Sequence, residues 1–317
     1  MGIWQFAIRK LVYGIPLILG VTFISFLLMV YFGPDKSFEL LGKNPTAEQI
    51  AEVRKELGYD RPFLVRYGHY LKQMATLDFG FSDSTGERVS RILKRTIPIS
   101  LAMVTPGFVL GNLLGIALAL LAAWYRGRWP DKLIMSGAVV GMSISFLVVI
   151  IAFQIIFSTP YGLNMFPVRG WEVSDLGSYV YYVTVPTLAT VFVTLGYNTR
   201  FYRAVLVEEM SRDYVRTARA YGTPPAQLLY KHVLKNSLVP IITRIMFSIP
   251  LVVISGSLLI ESYFGIPGVG KITFDAITTG DQPILKAVVG LTAVLFVITL
   301  LVTEIMYRAA DPRISLK

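Results

Sequence analysis

The chain has 317 residues, 54% of them hydrophobic and only 16% charged, with a mean hydropathy of +0.59, a balance that excludes a soluble enzyme and places it among polytopic membrane proteins. It has no cysteine and two distant histidines, His69 and His232, which excludes a disulfide framework, a thiolate metal site and a zinc cluster. Its formal charge of +10 calls for no nucleic acid, because cationic residues on the cytoplasmic side of a membrane protein explain it.

Met1 to Lys10 is a short start ending in Arg9-Lys10, and Leu11 to Phe32 is free of charge over enough length to cross a hydrocarbon core of ~30 Å. It lacks the short apolar region and small-residue cleavage site of a signal peptide, so it reads as an uncleaved first span. From Gly33 to Ile97 the chain turns polar. Thr46 and Gln49 make a capping box ahead of Ile50, Val53 and Leu57, with Gly58 as the stop, which predicts a short amphipathic helix. A second follows Pro62, with Leu64, Tyr67, Leu71 and Met74 on one face.

Four more apolar runs follow: Pro98 to Tyr125, Leu133 to Phe157, Tyr179 to Asn198, and Leu238 to Ile260, the last with Arg244 near its inner end, where a long side chain snorkels. A sixth span, Ala287 to Thr303, is about one turn short unless Lys286 and Glu304 lie at the interfaces. Asn112 and Gln154 sit mid-span and either bond across helices or face a wet cavity. Glu304 and Arg308 stand at i, i+4 and are expected to pair at the inner interface. The expected class is all-α, with six transmembrane helices and a small helical external segment. The chain divides into 1–32 (N-terminus and first span), 33–97 (external segment) and 98–317 (a five-helix core carrying a cytoplasmic loop, 200–240). Short segments on the N-terminal side hold 16 Lys and Arg against 3 on the other side; the long segment 33–97 holds 11, balanced by 9 acidic residues. Both termini and the 200–240 loop are therefore expected to be cytoplasmic.

In that loop Arg212, Arg216 and Arg219 fall at i, i+4 and i+7 and predict one basic helical face, while Met210, Tyr214, Ala218 and Tyr221 form a second face suited to docking. Gly222 stops the helix, because a residue without Cβ takes the left-handed conformation at little cost. Thr223-Pro224-Pro225 is expected to N-cap a second helix, striped with Leu228, Leu229, His232 and Val233. On charge alone the loop needs no more than the positive-inside bias.

Gly265-Ile-Pro-Gly-Val-Gly270-Lys271 mimics a phosphate-binding loop, but Ile272 replaces the Ser or Thr that would ligate magnesium. A membrane helix, rather than a parallel strand, precedes it. Gly265, Pro267, Gly268 and Gly270 suit a chain that re-enters the membrane or lines a cavity. Glu261, at the outer end of the fifth span, is placed either to line a substrate route and meet a peptide's amino terminus or to cap the neighbouring loop.

The order of these residues carries a resemblance. DYVRTARAYG followed by KHVLKNSLVP resembles the loop by which permease subunits of ATP-binding-cassette (ABC) importers grip their ATPase, in the form of the dipeptide, oligopeptide and nickel branch. Gly222 matches the loop's glycine. Arg216-Thr217-Ala218 stand where the general motif has Glu-Ala-Ala; arginine is usual there in this branch, and Tyr221 replaces its common lysine. LGYDRPFLVRY, LDFGFS, RTIPISL, ESYFGIPGVGKITFDAI, GDQP and the closing Asp311-Pro312-Arg313 resemble the same branch, so the likeness spans nearly the whole chain.

The resemblance implies a type I ABC importer permease fold in the inner membrane. It also implies a second permease, two ATPase subunits that carry ATP and Mg2+, and an external solute-binding protein. No cofactor, metal or catalytic residue is implied on this chain. The cargo implied is di- or oligopeptides, with nickel chelates or another small solute as the alternative. Arg212, Asp213, Tyr214, Arg216, Thr217, Ala218, Arg219, Tyr221 and Gly222 are the implied ATPase-coupling residues, and Glu261, Tyr263, Phe264, Pro267 and Gly268 the substrate path or outer gate. A self-contained channel or secondary transporter, the reading from another class, would prefer paired repeats with ionisable residues at mid-membrane, and the sequence has neither.

Overall fold

Backbone that crosses hydrocarbon must satisfy every N–H and C=O within itself, so the apolar runs become helices. The structure is a computed structural model that describes residues 3–33, 37, 41, 46–56, 58–253 and 257–310, with side chains from residue 8 onward. Helices α1 (Ile3–Phe32), α4 (Val89–Trp124), α7 (Leu176–Glu209) and α12 (Gln282–Ala310) are each long and apolar enough to cross a membrane. The last is longer than its apolar run suggested, and no shortfall remains.

The run Leu133 to Phe157 departs from a straight span. It forms α5 (Trp129–Ser143) and α6 (Phe146–Ser158), bent by 99° at Ile144-Ser145. Both linking residues are extended, with ψ of 130° and 136°, and a run free of charge hides such a break even though Ser143 and Ser145 flank it. The fifth run is divided between α9 (Lys235–Leu251) and α10 (Ser257–Phe264), and residues 254–256 lie outside the described residues. The six-span expectation is compatible with this layout.

In the segment after α1, α2 (Ala47–Glu56) carries the expected capping box: Thr46 N donates to Gln49 Oε1 at 3.0 Å and Gln49 N to Thr46 Oγ1 at 3.4 Å. Gly58 has φ +69°; Leu57 lies outside the described residues. Helix α3 (Phe63–Thr76) buries Tyr67 and packs Leu71 and Met74 on the same cluster, as the spacing predicts; Leu64 departs, at 71% exposed, and Tyr70 is buried in addition. The aromatic rings decide the rotation. Phe63, Tyr67 and Tyr70 pack against Phe23 and Phe26 of α1, the Tyr67 hydroxyl reaches the Leu19 carbonyl at 2.9 Å, and that of Tyr70 reaches the Lys286 carbonyl at 2.9 Å. Helix α3 is thus wedged between the first and last spans.

The closest pairing in the core is α4 on α7. Gly107, Gly111 and Gly115 form a small-residue stripe facing Thr190, Thr194 and Asn198, and an added Cβ at Gly107 would lie 2.9 Å from Thr190 Cβ. Asn112 bonds across this interface: its Oδ1 accepts from the Tyr202 hydroxyl at 2.5 Å and from Asn198 Nδ2 at 3.2 Å. Gln154 Nε2 donates to the Val168 carbonyl at 2.7 Å and ties the loop between α6 and α7 to α6. The guanidinium of Arg244, half-buried, lies over the Phe201 ring, 5.7 Å from its centroid. Glu304 pairs with Lys10 of α1 at 2.8 Å and not with Arg308, because the neighbouring helix brings an ammonium closer than its own next turn does.

Candidate functional site: the 200–240 loop and the outer connection

Helix α7 runs on past its apolar part to Glu209, and after a turn the chain forms α8 (Asp213–Ala220). Asp213 stands in the first turn of α8 and Arg219 in the last, both favourable to the helix dipole. The helix closes on Gly222, whose φ is +79°. Tyr221 N donates to Thr217 O at 3.0 Å and Thr223 N to Ala218 O at 3.1 Å, which leaves the last carbonyls satisfied.

Thr223 does not cap the next helix, because the helix begins one residue later than expected. Pro224 occupies that position, a single turn Pro225–Gln227 follows, and residues Leu228–Leu234 adopt a π-helix before α9. Leu228, Leu229 and Val233 are buried as the stripe predicts.

Helix α8 packs on its own chain along one side. Val215 is fully buried with Tyr202, Leu206, Leu228, Leu229 and Val233, and Met210 and Ala218 pack on the same cluster. Tyr214 is 37% exposed, and its hydroxyl donates to Glu209. Burial and that carboxylate push the phenol up to about 12. Of the expected docking face, Met210 and Ala218 thus rest on the chain's own cluster and Tyr214 stays exposed. Tyr221 points away, 86% exposed. Around it lie Arg212, Asp213, Arg216, Thr217 and Arg219, all exposed. Arg212 pairs with Glu208 at 3.2 Å and Arg216 with Asp213 at 3.5 Å; among the described residues Arg219 makes no ion pair.

The connection between α10 and α11 is built around Glu261, which is 0% exposed. Helix α10 ends at Phe264, Gly265 turns the chain with φ +69°, and α11 (Val269–Thr279) begins after Gly268. Glu261 Oε2 accepts from Gly270 N at 2.7 Å and Lys271 N at 3.1 Å, while Val269 N donates to Ser100 Oγ of α4 at 2.7 Å. The amides that would cradle a phosphate are filled by the chain's own carboxylate, and Lys271 Nζ turns to Asp275 at 2.8 Å. An added Cβ at Gly268 would overlap both Glu261 Oε2 and Ser100 Oγ. Phe264 and Gly268 are buried, Tyr263 is half-buried and Pro267 exposed. Arg169 Nε donates to Tyr263 O at 2.9 Å and Gly170 N to Phe264 O at 2.8 Å, closing the end of α10.

Residues 111–316 match the family of binding-protein-dependent transport system inner membrane components, and residues 3–104 match its N-terminal companion. The chain belongs to this family. It is the permease component of an ABC importer and an inner-membrane protein. A "Probable peptide ABC transporter permease protein y4tP" of Sinorhizobium fredii is 30% identical over 99% of each chain. The "Glutathione transport system permease protein GsiC" of Salmonella typhimurium is 31% identical over 99% of each, and the "Dipeptide transport system permease protein DppB" of Alkalihalophilus pseudofirmus is 27% identical over 98% of this permease and 99% of its own length.

A contact that no local sequence pattern reveals joins the start of α12 to residues 82–84. Asp281 caps α12 through Ile284 N at 3.3 Å, and its Oδ2 accepts from Ser82 Oγ at 2.6 Å, Ser84 Oγ at 2.8 Å and Ser84 N at 3.1 Å. Burial opposes ionisation of Asp281, but these donors outweigh it and hold the carboxyl below its usual range. Asp281-Gln282-Pro283 was readable as a cap followed by a first-turn proline; its partner, 199 residues away, was not. The terminal Asp311-Pro312-Arg313 lies outside the described residues.

Proposed function

We propose that this permease translocates di- or oligopeptides by alternating access, together with a second permease, two ATPases and an external binding protein. The observation that carries the reading is α8. It is fastened to its own chain by Val215 and presents Arg216, Arg219 and the ring of Tyr221 outward, the geometry of a rigid knob offered to a partner. ATP, with Mg2+, would bind and be hydrolysed on the partners; closing of the ATPase pair would carry α8 with it and open the path outward, and hydrolysis would reset it. The coupling residues of the proposal are Arg212, Asp213, Arg216, Thr217, Arg219 and Tyr221 on the outer face, with Tyr214, Ala218 and Gly222 holding that face in place. The knob faces the cytoplasm, as do both termini.

At the other end, Glu261, Phe264, Gly268 and α4 form a fastened outer closure, with Tyr263 and Pro267 beside it. Peptide cargo is favoured by the relatives named for peptide, dipeptide and glutathione transport. The test is competition for uptake in cells expressing the complete system, using labelled dialanine and trialanine. Uptake that depends on this chain and on the ATPases supports the reading. Ion-driven uptake by the chain alone, or none of either peptide, counts against it.

A further inference from the structure

The root of the loop-bearing helix is tied to the neighbouring corner by a buried ion pair that the proposed function does not use. Asp131, in the first turn of α5, is 3% exposed. Its Oδ1 accepts from Arg203 Nε and its Oδ2 from an Arg203 terminal nitrogen, both at 2.5 Å. Gly127 N, in the turn between α4 and α5, donates to the same Oδ2 at 2.9 Å. A two-pronged guanidinium–carboxylate contact fixes angle as well as distance. A buried pair is weak evidence for net stability, since desolvation offsets most of the attraction; what it supplies is a defined geometry.

Arg203 sits beside Tyr202 and one turn before Leu206, and both of those belong to the cluster beneath Val215 of α8. From α8 the packing is therefore continuous into the end of α7 and, through Asp131, into the α4–α5 corner. The other exit from α8 passes through the π-helical stretch Leu228–Leu234, whose Leu228, Leu229 and Val233 pack in the same cluster.

We infer that Asp131 and Arg203 are a positioning pair that makes α8, the end of α7 and the α4–α5 corner one rigid body, so that a displacement imposed on α8 reaches the corner undiminished. The inference rests on the reading of α8 as the ATPase-docking helix.

The chain has no cysteine, so pairs of introduced cysteines can be spin-labelled before reassembly with the partner permease and the ATPases. One pair, Arg128→Cys with Ala220→Cys, spans the corner and α8. A second, Tyr161→Cys with Ala220→Cys, spans the external loop and α8. In the otherwise unaltered importer, trapping with ATP and vanadate is expected to shift the second distance and leave the first unchanged. Asp131→Asn keeps the side-chain shape and an acceptor for Gly127 but removes the charge. It should broaden the first distance distribution beyond its parental width and make it differ between the two states, and Asp131→Glu should restore the parental behaviour. Superimposable first-pair distributions in Asp131→Asn and parent would overturn the inference, as would a first-pair distance that already shifts in the parent. A second distance that never shifts would instead sink the docking reading. Should Asp131→Asn fail to assemble, Arg203→Lys carries the same test, since it retains charge and loses one prong.

Discussion

Two side chains set the terms for a single substitution. Gly268 is wedged between Glu261 and Ser100, so Gly268→Ala must displace one of them; overpacking of this kind costs roughly 1–3 kcal/mol. Gly268→Ala is expected to lower the melting midpoint of the purified importer and its uptake, whereas Gly20→Ala, where an added Cβ meets nothing within 4 Å, should alter neither. Asp281 gives a pH signature. Its carboxyl is held below the usual range in the folded chain, so the stabilisation it provides is fully present above its unfolded pKa, about 3.9, and is lost as pH falls through the lower folded value. Asp281→Asn should therefore cost about 2 kcal/mol at pH 7, and the gap from wild type should narrow below about pH 4, read as melting midpoint by intrinsic fluorescence. A gap of constant size across that range would mean that Asp281 is not ionised when it caps α12.

At the scale of one element, α8 depends on a backbone conformation more than on a contact. Gly222 has φ +79° with open space around an added Cβ, so the cost of replacing it is conformational only. Gly222→Val is expected to strain the turn by ~1 kcal/mol or more, leave the amount of inserted permease unchanged and reduce the ATPase co-isolated per permease. Gly222→Asn, which tolerates the left-handed region, should retain most of it. Equal co-isolation from wild type and Gly222→Val would show that the loop is a tether. Much of this element was legible in the sequence: the helix, its glycine stop and the arginine face follow from spacing. The packing of Met210 and Ala218 within the chain was not, because periodicity reports that a stripe is apolar and is silent on what covers it. On α3 the face of Tyr67, Leu71 and Met74 was legible, whereas Leu64 stays exposed and Tyr70 takes a buried place against the ring of Phe26. The π-helical stretch and the 99° bend were hidden, since both are choices of backbone geometry that residue type alone does not dictate.

For the whole molecule, charge counting fixes the expected orientation, and the exposed loops provide the check. Tyr161→Cys, on a residue 96% exposed between α6 and α7, should react with an impermeant thiol reagent in intact cells, and Gln227→Cys, exposed beside α8, only after permeabilisation. The reverse pattern would place α8 outside, away from ATP. Long-range partners account for most of what the sequence left unread: Lys10 with Glu304, Ser82 with Asp281 and Asp131 with Arg203 each join charges or hydroxyls whose pairing no local pattern encodes. The first of these also sets an order of events. Lys10 and Gly14 lie on a helix that is made well before the one carrying the carboxylate and the Val297 methyl that meet them. That flank of α1 must therefore wait in lipid, unfilled, until α12 has been made, and the arrival of α12 becomes a late step of assembly.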